Sequence, residues 1–269
     1  MAAHVGVPNG RRDESAGAQI RASSARNISA VLFDLGGTLI DYDPVDPRAV
    51  FDEGARLTYQ YLVNLGHAPP PLRRYRRRLY RTMRWRFAWS RFRRRDFNSL
   101  HVLRDLCRAM QLPTDDPSVT ELAWQWYAPL ERVARIEPDL IPTLTAFRSA
   151  GLKLGIVSNT FIGAAVLDRH LARVGLLDFF PVRVYSSETG RRKPDRRIFD
   201  GALARMGVDA WHTIFVGDRL DTDIAGARRA GMRTALKTRA AASHKPGPDF
   251  IVRSIAELGP IVLNSGHTN

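Results

Sequence analysis

The sequence predicts an α/β fold: a doubly wound parallel sheet with an all-helical segment inserted after its first strand. Three observations predict it. Short apolar runs alternate with stretches of helical periodicity, the pattern of βαβ units. Several of those runs end in a carboxylate, a hydroxyl or an amide. And the long interval 46–135 carries apolar residues at helical spacing and no run that reads as a strand.

Residues 29–34 (Ser-Ala-Val-Leu-Phe-Asp) form the first strand, with Gly36, Gly37 and Thr38 in the turn that follows. An apolar run bounded by turn residues suits a strand buried on both faces. In the long interval, Val50, Leu57, Tyr61 and Leu65 mark one helix. Pro69, Pro70 and Pro71 break it from a second, marked by Leu72, Tyr75, Leu79, Met83 and Phe87. Pro113 and Pro117 set a further boundary before a helix over 119–133. A helix over 138–150 stops at Gly151 and leads to a strand over 153–158. Further strands are expected at 182–186, 213–217, 233–236 and 249–252, with helices at 162–174, 195–206 and 222–230. The predicted organisation is a disordered tail over 1–28, a core domain from 29–45 and 136–269, and a small helical domain over 46–135.

The chain has 269 residues, enough for one large or two modest domains at roughly 100–200 residues each. A hydrophobic content of 44% excludes a wholly disordered chain. The formal charge is +14, unevenly placed: residues 69–110 hold 14 Arg and two Asp, whereas the chain outside this segment and the tail is balanced. Such charge attracts anions, from phosphorylated metabolites to nucleic acid, without choosing among them. A single cysteine, Cys107, excludes an internal disulfide framework and points to the reducing cytoplasm. No run is long and apolar enough for a transmembrane helix, and the tail lacks the apolar stretch of a secretory signal.

Ligands of open α/β sheets bind beyond the carboxyl ends of the strands. Those ends offer Asp34 and Thr38, Ser158 and Asn159, and Asp218 with Asp221 and Asp223 close behind; Lys193 sits ahead of a helix. Clustered carboxylates raise one another's pKa unless a cation lies among them. Hard oxygen ligands favour Mg²⁺, which also engages substrate phosphate. The constellation points to phosphoryl transfer. Asp221 reads more simply as a first-turn helix carboxylate.

Four segments in order then resemble the haloacid dehalogenase superfamily of hydrolases: Val-Leu-Phe-Asp34-Leu-Gly-Gly-Thr38-Leu, Ile-Val-Ser158-Asn, Arg-Lys193-Pro-Asp, and Val-Gly-Asp218-Arg-Leu-Asp-Thr-Asp223. The resemblance implies a Rossmann-like core, with the inserted helices forming an alpha-helical cap of subclass I. It implies Asp34 as the nucleophile, and Asp34, the Gly36 carbonyl, Asp218 and Asp223 as the Mg²⁺ set. Thr38, Ser158 and Lys193 would hold the transferring phosphoryl oxygens, with Gly37 and Asn159 beside the substrate. One position departs: most phosphatases of this superfamily carry a second Asp, a general acid/base, where this chain has Gly36. Asp41 or Asp43 is then a candidate substitute, and Gly36→Asp is expected to speed turnover of poor leaving groups.

The expected function is Mg²⁺-dependent hydrolysis of a small phosphorylated metabolite. A dehalogenase-type or other hydrolase of the superfamily is an alternative, although dehalogenases usually carry an aromatic residue where Gly36 stands. Three readings of the Arg-rich segment from Arg73 to Arg95 stay open. It is a solvated face of the cap, a surface that attracts or selects anionic substrates, or, in a catalytically weak HAD-like protein, a site for nucleic acid or another polyanion built from arginines and interleaved aromatics.

Overall fold

The computed structural model describes residues 28–93, 95–239 and 247–263. The expected tail therefore lies, apart from Ile28, outside the described residues. A six-stranded sheet forms the centre, in the order β5 (Val182–Tyr185), β4 (Lys153–Ser158), β1 (Ala30–Phe33), β6 (Thr213–Gly217), β7 (Arg233–Lys237) and β8 (Phe250–Val252). Every pairing in it is parallel. β1 pairs with β4 on one side and β6 on the other, so Asp34, Ser158 and Asp218 leave one edge of the sheet side by side.

Alternation along β1 explains the layers. Val31 and Phe33 enter a core with Ile156, Val216 and the helices α5 (Leu140–Ser149) and α6 (Ala164–Arg173). Ala30 and Leu32 enter a second core with Val157, Phe215 and Phe199 of the helix Arg196–Met206. Both faces are covered, which is why the strands are continuously apolar.

Four helices follow β1: α1 (Pro47–Asn64), α2 (Leu72–Arg93), α3 (Ser99–Arg108) and α4 (Asp116–Arg132). Three have side-chain N-caps: Asp46 accepts from Arg48 N at 2.9 Å, Asn98 from Leu100 N at 2.8 Å, and Asp115 from Ser118 N at 3.0 Å. The expected seam of α2 holds at Tyr75, Leu79 and Met83, which are fully buried, whereas Leu72 and Phe87 at its two ends are exposed. Apolar residues of the four helices join the core on the Val31–Phe33 face in one continuous cluster. Cys107 lies in it, a buried thiol pushed by desolvation up to about 11.

The structure corrects several details. Periodicity in 46–135 does not separate α3, whose one clear signal is the Asn98 cap. Nor is that interval free of strand: β3 (Ala134–Arg135) pairs antiparallel with β2 (Asp41–Tyr42), where the chain leaves and re-enters the sheet layer. Two-residue strands carry no period for a sequence to show. The strand expected over 182–186 ends at Tyr185, and the helix expected from 222 opens with a wide π turn over Leu220–Ile224.

Candidate active site

Asp34 is the first residue past β1, and Leu35 N–H donates to its Oδ1 at 2.7 Å. Lys193 is almost wholly buried, with Nζ 2.8 Å from Asp34 Oδ1 and 2.8 Å from Asp223 Oδ1. Asp223 is also fully buried, and Arg219 N–H donates to its Oδ2 at 3.1 Å. Oxygens of Asp34, Asp218 and Asp223 all lie within 4.8 Å of one another.

These groups perturb each other. Burial raises the pKa of Asp34, against the pull of Lys193, and Asp223 adds to the rise. Burial and the carboxylates of Asp34 and Asp223 push Asp218 up to about 6. Burial works against the charge of Lys193, yet the two carboxylates hold its pKa above the ordinary value. Three carboxylates against one ammonium leave a negative excess in a low-dielectric site, which a divalent cation relieves. The donor set is all oxygen and suits Mg²⁺.

Neighbouring groups suit an anion. Thr38 is fully buried, and its Oγ1 has no hydrogen-bond partner. Left so, it carries a desolvation cost of about 1–3 kcal/mol, which a phosphoryl oxygen would remove. Ser158 ends β4 and lines the same cavity of about 390 Å³ as Asp34, Gly36 and Lys193.

Two residues expected beside the substrate also carry structural tasks, Asn159 while lining the Asp34 cavity. Asn159 accepts from Lys193 N–H at 2.7 Å and donates from Nδ2 to Lys193 O at 2.9 Å. Both ends of its amide therefore hold the lysine loop. Gly37 donates its N–H to Ile40 O at 2.8 Å. Its φ is +80°, and a Cβ there would stand 2.6 Å from Asp218 Oδ2. What the site requires of Gly37 is the absence of a side chain.

The proposed substitutes for a general acid are not in this cavity. Asp41 lies 3.2 Å from Lys237 Nζ, and Asp43 lies 2.7 Å from Arg135. Both line a different concavity, with Glu137 and Lys237. Lys237 also lies 3.0 Å from Glu137 Oε1 and donates to Thr38 O at 2.8 Å, so it fastens the outgoing and returning chains at the β2–β3 junction. Asp221 likewise stands outside the cluster, exposed and 3.1 Å from Arg219.

Other cavity residues were not legible in the sequence. Tyr42 from β2, Tyr127 and Leu130 from α4, and Phe161, Ile162 and Leu167 also line the Asp34 cavity, as do Arg192 and Arg219. Tyr42 Oη lies 3.4 Å from Tyr127 Oη, which lies 2.8 Å from His170 Nδ1. Burial pushes the Tyr42 hydroxyl above its ordinary pKa and lowers that of His170. A weak signal existed for Arg192 and Arg219: each adjoins a motif residue in sequence.

A model of the family described as haloacid dehalogenase-like hydrolase matches residues 28–231. The chain belongs to this family of hydrolases. A glyceraldehyde 3-phosphate phosphatase of Methanopyrus kandleri is 48% identical over 98 residues, which are 36% of this chain and 41% of that protein. The protein of the same name from Methanocaldococcus jannaschii is 31% identical over 164 residues, 60% of this chain and 71% of that one. The match thus spans less than half of the first relative's length. Among solved structures, a HAD phosphatase from Thermococcus onnurineus is 25% identical, with a TM-score of 0.56 over 89% of this chain and 100% of that one. The family match spans all four segments whose resemblance was read from the sequence.

Proposed function

We propose that the protein is a Mg²⁺-dependent phosphatase of small phosphorylated metabolites, acting through Asp34. The observation that carries this is the Lys193 bridge between Asp34 and Asp223, with Asp218 within reach of the same point. The names of the relatives support the substrate class.

In this reading Asp34 attacks phosphorus in line, forming an aspartyl-phosphate as the P–O bond to the alcohol breaks and the alkoxide takes a proton from water; a water molecule then attacks phosphorus, releasing phosphate and restoring Asp34. Lys193 neutralises charge on the phosphoryl oxygens and eases their approach to Asp34. Thr38 Oγ1 and Ser158 Oγ hydrogen-bond those oxygens and fix the line of attack. Asp34, Asp218 and Asp223, with the Gly36 carbonyl, would hold Mg²⁺, which when bound screens the phosphoryl charge. Asn159 keeps Lys193 in place, and Gly37 leaves room for Asp218. Gly36 supplies no acid, so leaving groups that need a proton depart slowly. The helices over 46–135 act as a cap, contributing Tyr127 and Leu130 to the cavity wall. We place the protein in the cytoplasm; no described helix is long and apolar enough to cross a membrane.

A panel of metabolite phosphates, assayed with and without Mg²⁺, tests this. Turnover that needs Mg²⁺ and disappears in Asp34→Asn supports it; turnover surviving that substitution sinks it.

The Arg-rich segment divides. Arg73, Arg74, Arg77, Arg78 and Arg81 line a separate outer concavity with Trp85, and none of them reaches the Asp34 cavity. Selecting substrate at the site is therefore not their role. The end of the segment is different.

A further inference from the structure

We propose that the substrate is anionic at both ends, with its second anionic group held in an arginine basin at the mouth of the Asp34 cavity. This deepens the phosphatase reading and rests on it. The basin has a volume of about 1110 Å³. It shares Arg192, Lys193, Arg219 and Thr222 with the Asp34 cavity, so the two adjoin. Arg93 and Arg95 enter it from the cap side, and Arg191, Arg192 and Arg229 from the core side.

Its charge is unbalanced. Eight cationic residues line it, of which Lys193 is answered by Asp34 and Asp223 and Arg192 by Asp96, against two lining carboxylates, Asp195 and Asp221. Both carboxylates are already engaged, Asp195 with Arg197 at 2.6 Å and Asp221 with Arg219 at 3.1 Å. Arg93 lies over the Trp89 ring at 4.6 Å, and Arg95 donates to Gly190 O at 3.4 Å. Neither these two nor Arg229 has a carboxylate within 4.0 Å among the described residues. Like charges around one concavity repel, and its walls focus their field on whatever enters. An anion relieves that repulsion. Guanidinium forks favour phosphate or carboxylate over other anions.

The basin is also held in shape. Asp96, next to Arg95, accepts from Ser186 Oγ at 2.6 Å and lies 3.3 Å from Arg192. Asn98 Nδ2 donates to Glu188 Oε1 at 3.0 Å. These contacts tie the cap to the core and fix Arg95 opposite the Gly190–Arg192 loop. The apolar wall of Tyr127, Leu130 and Phe161 accommodates the carbon skeleton between the two charged ends. The assigned substrate is thus a short skeleton with the scissile phosphate at one end and a phosphate or carboxylate at the other.

The test compares 1-alkyl monophosphates with α,ω-alkanediol bisphosphates of about three to six carbons, with Mg²⁺, at low salt and at about 0.3 M salt. At one spacer length the bisphosphate should show kcat/KM at least about tenfold higher, through KM, and should keep that gain in salt. The double variant Arg93→Met with Arg95→Met should bring the ratio towards one, and Arg95→Lys alone should keep part of it. A ratio of one at every length overturns the basin while leaving the phosphatase reading intact. A gain that salt removes and the variants do not touch is diffuse steering, and overturns it too. If neither series is turned over, the phosphatase reading fails, and the basin fails with it.

Discussion

Replacing Gly36 by Asp tests how far one missing carboxyl limits this enzyme. The backbone permits the change. Gly36 does not adopt the left-handed conformation, and a Cβ there would meet Tyr42 Cε2 at 3.7 Å, an ordinary contact. The side chain would enter a site already holding three carboxylates and one ammonium. Those charges disfavour a fourth carboxylate, so the new group stays protonated further up the pH scale, the form a general acid needs. General acid help is worth about 10²–10⁴-fold in well-placed cases. The Tyr42 ring shares the space above residue 36, so a gain no larger than the bottom of that range is expected: about 10–100-fold in kcat on a simple alkyl phosphate. Nitrophenolate departs without a proton, so p-nitrophenyl phosphate should change by less than about threefold. Steady-state kcat on both substrates at saturating Mg²⁺, with thermal melts to confirm folding, reads the difference. An alkyl phosphate rate that is unchanged or lower, in a folded variant that still binds Mg²⁺, refutes the argument.

Other expectations concern the same cluster. Lys193→Met leaves Asp34 and Asp223 buried without a countercharge; it should cost about 3–5 kcal/mol in metal-free stability, with Mg²⁺ restoring a large part, read by denaturant melts. If Mg²⁺ stabilises variant and parent equally, the charge argument is wrong. Asp34 and Asp218 have raised folded pKa values, Asp218 at about 6. Their protonated forms favour the fold, so metal-free stability from these groups falls as pH rises from about 4 through 6. The Tm gain from Mg²⁺ should therefore be larger at pH 7.5 than at pH 5, and a gain independent of pH contradicts the assignment. Gly37→Ala drives a methyl into Asp218 in a backbone conformation alanine resists; Mg²⁺ affinity by calorimetry should drop about 10–100-fold. Lys237→Met leaves Asp41 and Glu137 unpaired at the β2–β3 junction. Because Asp41 is half exposed and Glu137 keeps the Ile255 N–H, a loss of about 1–3 kcal/mol is expected, and a stability change below about 0.5 kcal/mol would mean the junction does not depend on this lysine.

Much of this was legible along the chain because its causes are local. A strand buried on both faces must be apolar throughout, and its end must turn, so Val31–Phe33 followed by Asp34 and two glycines announces itself. The same holds for Lys153–Ser158 and for Thr213–Gly217 with Asp218 beyond. The four helices over 46–132 were partly legible: α2 shows its seam, whereas ten-residue α3 was missed between its prolines and arginines. The sequence alone therefore determined the sheet, its polar edge and the identity of the residues gathered there.

Pairing across long separations is set by how layers meet, and no local period records it. Only the tertiary structure put Lys193 between Asp34 and Asp223, and tied the Asn159 amide to the Lys193 backbone. It carried Asp41 and Asp43 off to Lys237 and Arg135, which removed them as acids for the missing Gly36 carboxyl. It also divided one basic segment in two. Arg73–Arg81 face outward because Tyr75, Leu79 and Met83 take the buried side of α2. Arg93 and Arg95 reach the concavity that adjoins the Asp34 cavity because Asp96 is fastened to Ser186 and Arg192.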